Sequence, residues 1–90
     1  MQFLIDATRG KGSIKGRMSG EPAEMAALAE RLLDGGWRIN RLTWWEIRQS
    51  DYATGCFLCR ARASTKTPTA AAKWTKEHAC PTQVDSTGPT

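Results

Sequence analysis

The stretch from Ser19 to Gly36 constrains this chain more than any other. Ser19-Gly20-Glu21-Pro22 offers a capping residue, a proline suited to a first helical turn and an acidic side chain for the positive end of the dipole. Met25, Leu28, Ala29 and Leu32 then recur at the spacing of a single buried stripe, and Gly35-Gly36 supplies a left-handed stop. A helix apolar on one side must bury that side against a second layer.

The flanking segments read as strands. Phe3, Ile5 and Ala7 alternate with Gln2, Asp6 and Thr8, the glycine-rich Arg9-Gly10-Lys11-Gly12-Ser13 turns the chain, and Ile14 to Met18 returns with Lys15 and Arg17 on its other side. Trp37 to Arg48 is strand-like, but its alternation breaks, which a bulge near Arg41 or at Trp44-Trp45 explains. Gln49-Ser50-Asp51 turns into a fourth strand, Tyr52 to Ala63. Thr67-Pro68 opens a second helix through Ala70, Ala71, Trp74 and His78 that ends at Pro81. These elements predict a ββαββα α+β fold, a four-stranded antiparallel sheet with both helices on one face. Residues 1–81 make the domain and 82–90, polar and without periodicity, a disordered tail. At an offset of 43 residues Gly12 meets Gly55 and Arg17 meets Arg60, which suggests an internal ββα duplication.

Ninety residues bound the chain to one domain near the lower limit of unaided folding. Its four tryptophans supply large apolar surfaces for a small core. No apolar run reaches the roughly 20 residues of a membrane span, and the start lacks the basic and apolar regions of a signal peptide. Three cysteines are an odd number at low density, so a reducing cytoplasm is expected. The net charge of +4 is uneven: residues 21–36 are net acidic, while 1–20 and 37–66 are basic. Such asymmetry steers anionic partners.

Two groups of side chains carry chemistry. Cys56-Phe57-Leu58-Cys59, followed after eighteen residues by His78-Ala79-Cys80, unites every cysteine with the only histidine in a C-x2-C…H-x-C pattern suited to tetrahedral zinc. Within a continuous strand, however, adjacent flanks send the two thiols of Cys56 and Cys59 to opposite faces. The favoured reading is therefore that these are a strand residue, a core residue and an ordinary helix end, with no cofactor; a zinc-stabilised domain is an alternative. The second group is basic and aromatic. With the helices on the Phe3/Ile5/Ile14/Phe57 side, Lys15, Arg17, Arg60 and Arg62 gather on an open sheet face beside Arg9 and Lys11 of the hairpin tip. One of Trp44 and Trp45, which point to opposite faces, is then left outside the core.

Gly10-Lys11-Gly12-Ser13 lacks the length of a phosphate loop and precedes a strand. No nucleophile–base set is legible, so no enzymatic activity is expected. Gly35-Gly36-Trp37-Arg38-Ile39 after an alanine–leucine helix, with Trp74-Thr75-Lys76-Glu77-His78 near the end, resembles in composition and cadence the short orphan proteins of phages infecting high-GC bacteria. That resemblance implies an accessory or inhibitor role in the host cytoplasm, exerted by binding, and carries over no site residues. The expected function is a non-catalytic binding module that engages a protein partner through the basic sheet face. Nucleic acid on the same face is the alternative, and a homodimer is compatible with either.

Overall fold

The computed structural model describes residues 1–80 and the backbone of Val84–Asp85. Strands β1 (Gln2–Arg9) and β2 (Gly12–Ser19) form a hairpin, followed by helix α1 (Pro22–Asp34) and the long strand β3 (Arg38–Arg48). Strands β4 (Asp51–Cys56) and β5 (Arg62–Thr65), helix α2 (Pro68–Glu77) and the two-residue β6 (Val84–Asp85) complete the chain. All strand pairings are antiparallel, in the order β2-β1-β3-β4-β5, with β6 on β3 at Arg38 and Ile39.

The α+β class and antiparallel sheet are as expected, but the sheet has five main strands rather than four. The extra strand arises because the chain does not run straight from Tyr52 to Ala63. It leaves the sheet after Cys56, turns through residues 57–61 and re-enters as β5. The offset of 43 also fails as a duplication: Gly12 opens β2, whereas Gly55 lies in β4 and Arg60 in the turn.

Register determines which side chains share a face. Phe3, Ile5 and Ala7 stand opposite Trp44, Leu42 and Ile39. Phe3, Ile5, Ala7, Ile39 and Leu42 form the main core with Met25, Ala29 and Leu32 of α1, and Trp44 packs against it. The register slips between Asp6 and Ala7, which leaves Asn40 as the extra residue of a bulge beside Arg41. That single bulge accounts for the broken alternation of β3: Ile39, Leu42 and Trp44 all face α1, and Thr43, Trp45 and Ile47 face away. Helix α1 starts at Pro22 with Glu21 as an extended N-cap and ends at Gly35-Gly36. Gly36 has φ +83, and Gly36 N–H bonds Leu33 O while Trp37 N–H bonds Leu32 O, closing a Schellman motif.

Helix α2 packs on the opposite face, not beside α1. The carbonyl of Thr75 accepts hydrogen bonds from Thr43 Oγ1 at 2.9 Å and Arg41 Nη1 at 2.8 Å, and both donors point away from the main core. The side chains buried here are small or polar: Thr43, Thr54, Cys56, Ala71 and Thr75. The helix ends at Glu77 rather than Pro81, because His78 turns extended at φ −58, ψ 118. The expected tail, 82–90, lies outside the described residues except for β6. No helix among the described residues is long and apolar enough to cross a membrane.

Gly55 fits this packing only as glycine, because a Cβ there would overlap the Trp44 indole. Gly55→Ala is expected to cost about 1–3 kcal/mol in urea unfolding through overpacking. Gly16→Ala in β2, where an added Cβ meets nothing within 4 Å, is expected to be neutral or to stabilise by up to about 1 kcal/mol.

Candidate metal centre

The turn after β4 places both cysteines of the C-x2-C segment on one side. Cys56 N–H bonds Ala61 O at 2.9 Å and Arg60 N–H bonds Cys56 O at 2.9 Å, which folds the chain back on itself. Phe57 N–H is tied to Leu42 O at 2.8 Å, anchoring the turn to β3. Arg60 takes φ +66, a left-handed conformation that usually selects glycine. Its guanidinium lies 4.8 Å from the centre of the Phe57 ring, a cation–π contact that compensates in part.

Helix α2 runs back across the sheet and delivers His78 and Cys80 to the same place. Thr67 caps its start by accepting from Ala70 N–H at 3.1 Å. His78 N–H still bonds Trp74 O at its end, and the imidazole stacks on the Trp74 indole with ring centres 4.6 Å apart. That stacking sets the ring plane and turns Nε2 toward Cys59 Sγ, 3.2 Å away. Cys56 and Cys80 bring their sulfurs to 3.6 Å.

The donor atoms of Cys56, Cys59, His78 and Cys80 all lie within 4.8 Å of one another. A tetrahedron with Zn–S near 2.3 Å and Zn–N near 2.0 Å has edges of about 3.5–3.8 Å. The Cys56–Cys80 separation of 3.6 Å lies on that scale and the Cys59–His78 separation of 3.2 Å is slightly shorter, and no disulfide competes for the sulfurs. The earlier objection, opposite-facing thiols on one strand, therefore falls: the segment is a turn, and the four residues can hold a metal ion.

The backbone around the turn is arranged for thiolates. N–H groups of Leu58 and Cys59 are directed at Cys56 Sγ, and that of Ala61 at Cys59 Sγ. For Cys59 the Ala61 N–H leads, and hydrogen bonds from His78 and the neighbouring thiols add to it, lowering the thiol to about 7. Cys56 lies deeper, and desolvation outweighs its two N–H donors, raising it to about 11. A cation among the four donors would reverse that penalty.

The basic and aromatic candidates do not converge. Lys15 and Arg17 pair with Asp6 and Leu4 on the α2 side of the sheet, whereas Arg62 pairs with Gly55 on the α1 side. Arg60 belongs to the turn. Arg9 also faces α1, where it donates to Gly35 O at 2.8 Å and covers the Trp37 ring, so it closes the end of α1; Lys11 alone occupies the hairpin tip. Trp44 lies over Gly55 on the α1 side, and Trp45 meets Tyr52 edge-on at 6.0 Å on the α2 side. The single open basic face is absent because each helix covers a different half of a different face. Sequence reasoning missed Arg41 and Lys76, which the fold brings beside Lys15 and Arg17. Opposite-charge segments gave no signal for this, since Lys76 reaches the sheet only once α2 crosses it.

Comparison with protein-family models, curated proteins and solved structures finds no match.

In metal-free protein, iodoacetamide is expected to modify Cys59 first, at a rate that rises through about pH 7 as its thiolate forms. Cys56 should resist at that pH, because its thiolate forms only near 11. Peptide mass mapping across pH checks the order; equal modification of both would contradict this geometry.

Proposed function

We propose that this chain is a non-catalytic binding domain whose second helix is fastened by a structural zinc ion on Cys56, Cys59, His78 and Cys80. The observation that carries the reading is the convergence of those four donors within 4.8 Å, from a turn and a helix end separated by eighteen residues. Three thiolates and an imidazole are a borderline-soft set that favours zinc over calcium or magnesium. Four protein ligands complete a tetrahedron and leave no position for water or substrate, the mark of a structural rather than a catalytic site. The only histidine is spent as a ligand.

The packing beneath α2 supports the same role. The α1 side buries Phe3, Ile5, Ile39 and Leu42, whereas the α2 side buries an alanine, a cysteine and three threonines. Apolar burial stabilises in proportion to area, so the second layer gains much less from it. A metal joining the end of α2 to the end of β4 supplies the missing attachment. Function then rests on the surface that this scaffold presents to a macromolecular partner.

Excess chelator is expected to lower the melting temperature of the purified protein by about 10 °C or more, a loss of roughly 2 kcal/mol or above for a domain of this size. Added zinc should restore it. Cys56→Ser and Cys80→Ser should each melt like the chelated protein and no longer respond to chelator. Cobalt substitution should give the visible bands of a tetrahedral thiolate site. A melt unchanged by chelator, together with wild-type melting of both serine variants, would remove zinc from the account.

A further inference from the structure

Helix α2 covers the β3–β5 half of its face and leaves the β1–β2 half open. Between the helix and the outer strand runs an open cleft of about 690 Å³. Leu4 of β1 lines its floor, Lys15 and Arg17 of β2 form one wall, and Arg41 and Lys76 stand on the α2 side. Asp6 is the one carboxylate among its lining residues. Four cations from three elements, set against one anion along an open strip, form a surface complementary to a linear polyanion. One Arg41 nitrogen is committed to Thr75 O, which fixes the guanidinium at the cleft while leaving its other donors available. Lys15 and Arg17 are exposed on an edge strand and free of the core.

We infer that this cleft binds the phosphate backbone of a single-stranded nucleic acid. The cleft lies between one edge strand and one helix, with cations on both sides of it, so a single phosphate chain lying along it meets both. Trp45 shares this face in the next cross-strand row beyond Leu4, paired with Gln2, and is half-buried. Its position at the end of the cationic strip provides an aromatic surface against which a base can stack. Phosphates along Lys15, Arg17, Arg41 and Lys76 supply sequence-independent affinity through counterion release. The inference rests on the binding-domain reading above and names its partner; it does not depend on the metal.

The test uses the 90-residue protein as purified and a fluorescent single-stranded oligonucleotide of mixed sequence, with affinity measured by anisotropy over a range of salt. Contact with three or four phosphates predicts a slope of log K against log salt of about −2 to −3. Lys15→Glu with Arg17→Glu is expected to weaken binding at least tenfold and flatten the slope by about 1.4. Arg48→Glu with Arg62→Glu changes the net charge equally on the opposite face and is expected to stay within about threefold of wild type. Absence of binding at low salt, equal loss in both double variants, tighter binding of a duplex, or equal binding of a poly-glutamate of matched length would each overturn the inference. Zinc content and melting are measured on the same samples. A zinc-bound protein that ignores the oligonucleotide defeats the cleft alone, and a zinc-free protein that binds it defeats the metal reading alone.

Discussion

Everything on one side of this sheet depends on how the end of α2 is attached. The helix is short and rich in alanine, lysine and threonine, and it meets the sheet through side chains too small to bury much apolar area. What fixes it is polar and local. Thr43 and Arg41 reach from β3 to the Thr75 carbonyl, and four side chains able to hold a metal ion meet where α2 leaves the sheet. The four donors lie at the far end of the helix from its Thr67 cap, next to the Thr75 carbonyl that β3 already holds.

The two helices divide the sheet between them. On the α1 face a conventional apolar core forms against β1 and β3, and the half over β4 and β5 is left to Trp44, Arg48 and Arg62. On the α2 face the covered half is β3 to β5, and the open half carries Lys15 and Arg17. Basic residues that an open-faced sheet would gather are thereby separated into two sets. One of them, joined by Arg41 and Lys76, becomes concave because a helix runs along its border.

Much of this was legible in the residues. The stripe of α1, its Gly35-Gly36 stop, the β1–β2 hairpin and the bulge of β3 follow from periodicity and from where glycine falls. The turn after β4 did not, for a specific reason. Phe57 and Leu58 between the cysteines read as strand residues, and Arg60 rather than glycine takes the left-handed position that would have marked a turn. Once that segment is taken as extended, the two thiols diverge and the set of four donors dissolves, so one missed turn concealed both the fifth strand and the donor cluster. The side chosen by α2 was equally hidden. Alanine and threonine on a helix specify no face as strongly as Met25 and Leu32 do, and the choice is made by hydrogen bonds to Thr43 and Arg41 and by the reach to the cysteines. The pairing of every cysteine with the sole histidine was the signal that pointed to their convergence.

The most direct test of the central claim is the zinc K-edge absorption spectrum of the protein as purified. The account predicts one zinc per chain with a first shell of three sulfurs at about 2.3 Å and one imidazole nitrogen at about 2.0–2.1 Å. A shell of oxygen and nitrogen alone, or zinc absent from a folded protein, would contradict it.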